Sequence, residues 1–208
     1  MKPLADCRLY AFVDTAYLCG RAPADVARQL CEGGADLIQL RAKTSTAGEI
    51  ASMARAILPV TQEAGVRLVI NDHVDIAKAV GAPACHLGQE DFFDSGLTHV
   101  SQVRGGASLE IGLSTHAPAQ AQRAIEAGAD YVAIGPIYPT GTKPTAKPVT
   151  LEYVRWAAAN VKIPWFAIGG INARTIEAAL GAGATRVCVV SAILEAPDIV
   201  GACRELRK

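Results

Sequence analysis

The chain has 208 residues, half of them hydrophobic and 19% charged, with basic and acidic side chains balanced to a formal net charge of zero. A neutral chain has no global field to recruit nucleic acid or an anionic membrane, so any affinity for anions must be local. Few aromatics beside abundant Ala, Gly, Val and Ile read as an α/β protein with strands covered on both faces, organised as one domain over residues 1–208.

The start, Met1-Lys2-Pro3-Leu4-Ala5-Asp6, lacks the apolar run of a signal peptide. No segment reaches membrane-spanning length, so a cytoplasmic location is expected. Six cysteines are an even number, yet no Cys-x-x-Cys pair occurs, and Cys7, Cys85 and Cys188 fall in apparent strands. Buried, reduced thiols are expected, without disulfides or zinc.

Strands are expected over Arg8–Val13, Leu37–Leu40, Arg67–Ile70, Ala84–Leu87, Glu110–Leu113, Tyr131–Ile134, Trp165–Ile168 and Val187–Val190. Helical patterns separate them. Pro23 can open the first helix, ahead of Val26 and Leu30. Thr46-Ala47-Gly48-Glu49 has capping-box spacing and precedes a one-face stripe of Ile50, Met53, Ala54, Ile57 and Leu58. Asn172 is expected to cap the helix carrying Ile176, Ala179 and Leu180. Four echoes end a helix in glycine and start a strand at once: Glu32-Gly33-Gly34-Ala35-Asp36, Glu63-Ala64-Gly65-Val66-Arg67, Glu126-Ala127-Gly128-Ala129-Asp130 and Gly181-Ala182-Gly183-Ala184-Thr185. Serial β-α units with eight strands predict a (β/α)8 TIM barrel, with an open doubly wound sheet as the other reading.

In such a barrel the active site is built at the C-terminal ends of the strands. Unusual polar residues gather there. The second strand leads into Gln39-Leu40-Arg41-Ala42-Lys43, whose odd positions share a face, so an amide, a guanidinium and an ammonium point together. The bland reading is a salt-bridged barrel mouth. The third strand ends in Asn71-Asp72-His73 and the fourth runs through His86 to Gln89-Glu90-Asp91. Asp72 and Asp91 follow neighbouring strands and suit a shared Mg2+, which takes one or two carboxylates and completes its shell with water and phosphate. Helix capping is an equal reading for each. His73 and His86 lack zinc partners at ligand spacing and read as hydrogen-bonded residues. Ser114-Thr115-His116 ends the fifth strand. His116 is a candidate general base, with a structural role as the alternative. No nucleophile-elbow sequence is present.

The sixth strand runs into the longest polar string, Gly135-Pro136-Ile137-Tyr138-Pro139-Thr140-Gly141-Thr142-Lys143. Its hydroxyls at Thr140 and Thr142 and the ammonium of Lys143 are suited to a phosphate. The seventh ends in Ile168-Gly169-Gly170-Ile171 and the eighth in Val189-Val190-Ser191-Ala192-Ile193, where barrels frequently hold a second phosphate on backbone amides. Two anion subsites follow. Arg41, Lys43, Lys143 and Mg2+ on Asp72 and Asp91 suit a diphosphate, while Gly170, Ser191, Thr140 and Thr142 suit a phosphate. A diphosphate held this way is a good leaving group, which points to a transferase joining a diphosphate-activated group to a phosphate-bearing acceptor.

The same pieces, Gln39-Leu40-Arg41-x-Lys43, Asn71-Asp72, His86-Leu87-Gly88-Gln89-x-Asp91, Ser114-Thr115-His116, the Gly135 to Lys143 string, Ile168-Gly169-Gly170-Ile171 and Ser191-Ala192-Ile193, resemble the thiamine-phosphate synthase family from the second strand to the eighth. The Gly-Pro-Ile-Tyr-Pro-Thr-x-Thr-Lys string is the specific one. The resemblance implies condensation of hydroxymethylpyrimidine diphosphate with thiazole (or carboxythiazole) phosphate to thiamine phosphate and pyrophosphate. It implies that Gln39, Arg41, Lys43, Asn71, Ser114 and Lys143 hold the pyrimidine diphosphate, with Arg41, Lys43, Ser114 and Lys143 acting in catalysis. It further implies Mg2+ on Asp72 and Asp91, and thiazole phosphate on Thr140, Thr142, Gly170, Val190 and Ser191. Two departures from the family pattern are Thr44, where an acidic residue often follows the lysine, and Pro144 to Pro148, which lack a glycine.

The alternatives are a thiazole tautomerase on the same scaffold, using His116 as acid and base, and a non-catalytic thiamine-phosphate binder. Neither needs a carboxylate pair and a diphosphate clamp. The expected partners are small-molecule substrates, with no nucleic acid and no membrane; a homo-oligomer stays open.

Overall fold

In the computed structural model, which describes residues 1–141 and 148–207, the strands are β1 (Leu9–Asp14), β2 (Leu37–Arg41), β3 (Arg67–Asn71), β4 (Ala84–Leu87), β5 (Glu110–Thr115), β6 (Tyr131–Ile134), β7 (Trp165–Ile168) and β8 (Val187–Cys188). All pair in parallel and in chain order, and β8 returns to β1 through Leu9↔Val187 and Tyr10↔Cys188. The fold is therefore a closed (β/α)8 barrel, and the open-sheet reading is excluded. Four of the strands run one to two residues beyond their expected C-terminal ends, whereas β8 stops two residues short, leaving Val189 and Val190 outside the ladder.

The helices are α1 (Pro23–Glu32), α2 (Ala47–Glu63), α3 (Val74–Val80), α4 (Gln89–Phe93), α5 (Ser101–Arg104), α6 (Pro118–Glu126), α7 (Thr150–Asn160), α8 (Ile176–Gly181), α9 (Ser191–Leu194) and α10 (Ile199–Leu206). Their starts and stops follow local chemistry. Pro23 opens α1, and the capping box of Thr46 and Glu49 opens α2 with both of its reciprocal bonds made. The glycines of the four echoes, Gly34, Gly65, Gly128 and Gly183, have φ of +89°, +67°, +78° and +102°. A helix followed at once by a buried strand must reverse within one or two residues, and the left-handed conformation does this with the least strain at glycine.

Two local expectations fail. Asn172 does not cap α8: Thr175 holds the N-cap position, while the Asn172 side chain accepts from Arg174 N at 2.9 Å inside the preceding turn. Cys7 lies just before β1 rather than within it, and Cys19 is exposed, so only Cys7, Cys85, Cys188 and Cys203 are buried among the free thiols. Burial raises the thiol pKa of all four.

Along each strand one set of alternate residues packs under the helices and the other fills the barrel. The interior is aromatic at its centre. Tyr10 packs edge-on against Phe166 at 5.3 Å and Tyr131 at 6.0 Å between centroids, and stacks with Phe12 at 5.5 Å. The Tyr131 ring occupies the space beside Gly112, where a Cβ would come within 2.1 Å of it. Any larger residue at 112 would expel that ring.

Charged groups close the N-terminal end of the barrel. Buried Asp36 accepts from Arg8 N at 2.7 Å and Leu9 N at 3.1 Å, and pairs with Lys2 at 2.7 Å and Arg207 at 3.4 Å. One carboxylate thus ties both termini to the strands. Burial alone would push its pKa up, but the Lys2 ammonium, the two amides and Arg207 outweigh that and hold it below the ordinary carboxylate range. A depressed folded-state pKa contributes stability that is full above the unfolded value and disappears as pH falls through the folded one. Unfolding followed from pH 7 to pH 2 is therefore expected to show Asp36→Asn about 2 kcal/mol less stable at neutral pH, with the gap closing below about pH 4. An unchanged gap across that range would exclude this role.

Candidate active site

The C-terminal ends of the strands surround a cavity of about 370 Å3. Gln39, Arg41 and Lys43 of the β2 end line it together, because alternate strand residues face inward. Arg41 is held from behind. Asp14, 1% exposed at the end of β1 and in register with Arg41, accepts from its Nη1 at 2.7 Å and from Ala16 N at 3.0 Å. The sequence reading missed Asp14 because it ended the strand at Val13. The visible signal was the alternation Tyr10-Phe12-Asp14, which carries the strand one inward position further.

Asn71 ends β3 and Asp72 follows it, both on the same cavity. Asp72 Oδ2 accepts from Lys43 Nζ at 2.5 Å and from Asn71 Nδ2 at 2.7 Å. Its φ of +65° is left-handed, and its amide donates to His86 O at 2.8 Å. Asp72 is not a helix cap, since His73 precedes α3 in that position. Asp91 is not one either: Gly88 precedes α4, and the Asp91 carboxylate folds over it, with Oδ2 2.5 Å from where a Cβ of residue 88 would stand. Both carboxylates line the cavity. Among the described residues no cluster of three or more His, Cys, Asp or Glu could ligate a metal. Two oxygen donors open to water suit Mg2+ and do not suit zinc.

His86 is a hydrogen-bonded interior residue. Its Nε2 lies 2.9 Å from Ser114 Oγ and its Nδ1 3.3 Å from the Tyr131 hydroxyl. Tyr131 in turn meets Tyr10 at 3.1 Å, and Gln39 Nε2 donates to Tyr10 at 2.5 Å. Complete burial raises both phenol pKa values well above normal, so the hydroxyls keep their protons. Thr115, by contrast, turns its hydroxyl to Ala133 O at 2.8 Å and accepts from Tyr153 at 2.7 Å, which makes it structural. The His116 Nδ1 is bonded to the Gly135 carbonyl, and its amide to Gln120 Oε1 at 2.6 Å.

On the opposite wall Thr140, Gly170, Val190 and Ser191 line the same cavity. Gly169 and Gly170 have φ of +100° and +66°, and a Cβ on either would come within 2.6 Å of Pro136 or Tyr138. The Gly170 carbonyl is fixed by Thr175 Oγ1 at 2.9 Å and Asn172 Nδ2 at 3.3 Å. Ser191 opens α9, with Val190 before it. Thr142 and Lys143 lie outside the described residues. Every other residue proposed for the site reaches this one cavity.

The family model described as thiamine monophosphate synthase matches residues 9–193. A thiamine-phosphate synthase of Lawsonia intracellularis is 41% identical over 206 residues, covering 98% of this chain and 92% of its own. One from Thermus thermophilus is 43% identical over 188 residues, with 90% and 88% covered. Among solved structures, a thiamine phosphate pyrophosphorylase from Pyrococcus furiosus superposes with a TM-score of 0.86 at 30% identity, over 99% of this chain and 96% of that one. A 3-hexulose-6-phosphate synthase, at 20% identity and a TM-score of 0.66, shares the fold alone.

The Asp14–Arg41 pair yields a direct test. Asp14→Asn removes the charge facing Arg41 while keeping the side-chain shape. Urea unfolding is expected to give a loss of about 1–2 kcal/mol with an unchanged m-value. A change within 0.5 kcal/mol, about the effect of a neutral surface substitution, would show that Arg41 is held by other groups.

Proposed function

This chain belongs to the thiamine monophosphate synthase family and is a thiamine-phosphate synthase by activity, and from that premise we propose which substrates it joins and how. The donor is hydroxymethylpyrimidine diphosphate, the acceptor a thiazole (or carboxythiazole) phosphate, and the products thiamine phosphate and pyrophosphate. The supporting observation is the cavity itself: Arg41 and Lys43 from the β2 end, Asp72 after β3 and Asp91 after β4 meet at one wall, with Gly170 and Ser191 on another.

The reaction breaks the bond between the pyrimidine methylene carbon and the diphosphate oxygen, and the electron pair leaves with pyrophosphate. The electron-rich pyrimidine stabilises the methylene cation, and the thiazole nitrogen lone pair then forms the new carbon–nitrogen bond. Arg41 and Lys43 face the leaving group, where charge develops, and their donors are already fixed by Asp14 and Asp72. Asn71 and Ser114 supply neutral hydrogen bonds beside them. Thr140 and the backbone around Gly170, Val190 and Ser191 hold the acceptor phosphate, with Thr142 and Lys143 proposed to complete the two subsites. Asp72 and Asp91 would hold Mg2+, which when bound neutralises diphosphate charge. No protein nucleophile is needed, because holding both reactants and excluding water supplies the rate.

A tautomerase would use His116, which lines the cavity with its Nδ1 bonded to the Gly135 carbonyl, but it gives the Asp72 and Asp91 carboxylates no role. A pure binder has no use for the Asp72 and Asp91 pair. The free thiols are consistent with a reducing cytoplasm. No described helix is long and apolar enough to cross a membrane.

Pyrophosphate release measured with both substrates, with each alone, and with or without Mg2+ tests this reading. Release is expected only when both substrates and the metal are present. Asp72→Ala and Asp91→Ala are each expected to lower the Mg2+-dependent rate on the order of a hundredfold with the fold intact. Undiminished metal-independent release in either variant would refute the assignment. Gly88→Ala forces the Asp91 carboxylate aside, so the Mg2+ concentration for half-maximal rate is expected to rise several-fold while the KM for thiazole phosphate holds. An unmoved metal requirement would separate Asp91 from the metal.

A further inference from the structure

A hydrogen-bonded chain crosses the barrel at the cavity lining, from Gln39 on β2 through Tyr10 on β1, Tyr131 on β6 and His86 on β4 to Ser114 on β5. Both tyrosines are fully buried among Phe12 and Phe166. Phenylalanine would fill the same volume without two hydroxyls to satisfy. Both ends of the chain, Gln39 and Ser114, line the cavity, as do Tyr10 and His86 between them.

We propose that Tyr10 and Tyr131 are positioning residues which, through His86, orient the Ser114 hydroxyl so that its proton points into the cavity as a donor to the diphosphate of the substrate. This rests on the reading of Ser114 given under the proposed function. The argument is proton accounting along the chain. Gln39 Nε2 donates to the Tyr10 oxygen, so the Tyr10 proton has the Tyr131 oxygen as its acceptor. The Tyr131 proton then goes to His86 Nδ1, which must be bare to accept it. The imidazole proton sits on Nε2 and is donated to Ser114 Oγ, which leaves the serine proton for a ligand. In the opposite direction the Tyr10 oxygen would accept twice, and its own buried proton would meet no acceptor among the described residues. One amide on β2 thus sets the tautomer of an imidazole on β4 and the direction of a hydroxyl on β5. A hydroxyl obliged to donate prefers an anionic oxygen over a donor group, which suits a diphosphate.

The direction of the chain can be read without turnover. In protein with 15N-labelled histidine, two-bond nitrogen–proton correlations are expected to show His86 as the Nε2–H tautomer. Q39E replaces the terminal donor by an acceptor, so the chain should reverse and His86 should become Nδ1–H. An Nδ1–H tautomer in the unaltered protein, or an Nε2–H tautomer that survives in Q39E, overturns the proposal.

Kinetics test the purpose. Tyr131→Phe is expected to lower kcat about tenfold, the effect of one misdirected hydrogen bond, with the KM for thiazole phosphate within twofold. Tyr10→Phe, one link further away, should lose less and stands in if Tyr131→Phe does not fold. In a Ser114→Ala background the loss from Tyr131→Phe should vanish; additive losses overturn the relay. If Ser114→Ala itself turns over normally while the Nε2–H tautomer is intact, the fault lies in the assignment of Ser114 to the diphosphate, and the catalytic purpose of the relay falls with it.

Discussion

Closure of β8 onto β1 is the constraint from which the site follows. A closed parallel barrel leaves alternate side chains of every strand no destination except one shared interior, and it ends all strands at the same rim. Residues as distant as Phe12 and Ser191 become neighbours of one cavity by this geometry alone. The two ends of the barrel then diverge in use. At the N-terminal end Asp36, Lys2 and Arg207 tie the termini down, and Arg67 pairs with Glu110. At the C-terminal end charged groups pair in ways that leave one face open.

That pairing shapes the chemistry. Arg41 and Lys43 both line the cavity, and each already has a carboxylate partner in Asp14 and Asp72. An unpaired cluster of cations at a half-buried rim would repel itself and disturb the fold. Partial neutralisation holds the donors in place at little cost, and it leaves one of the two carboxylates, Asp72, on the cavity wall. Asp14 is buried behind Arg41 and is positional. The distinction follows from exposure: a carboxylate that water and a ligand can reach is able to exchange its ammonium partner for a divalent ion, whereas one at 1% exposure is not.

Most of the fold was legible in the sequence because its signals are local. Helix-ending glycines, the Thr46–Glu49 box and short apolar runs each announce themselves within a few residues. β4, β6 and β7 begin and end where the pattern placed them. The cavity wall was legible for the same reason, since polar residues at strand ends are conspicuous once a barrel is assumed. What stayed hidden depends on contacts across the interior. Tyr10 and Tyr131 look like ordinary strand aromatics, and only the barrel cross-section shows their hydroxyls meeting. His86 read as a lone histidine because its partners lie on β5 and β6. Asn172 misled in the opposite direction: its local signal as a cap is sound, but a turn between it and α8 absorbs that capacity at Arg174.

Asp72 shows how a backbone requirement and a chemical one select a single residue type. At φ +65° a β-branched or bulky side chain would be strained, while aspartate, asparagine and glycine visit this region at modest cost. Glycine would tolerate the backbone but leave Lys43 and Asn71 without their shared acceptor. Asparagine would meet the backbone demand and accept one hydrogen bond, yet would not neutralise the ammonium. Glutamate carries the charge, but its longer side chain lacks the local hydrogen bonding that eases the left-handed conformation. Aspartate alone satisfies both constraints. The local strain is retained because the Asp72 amide bonds to the His86 carbonyl, which couples the carboxylate on the cavity wall to the strand that carries the buried imidazole.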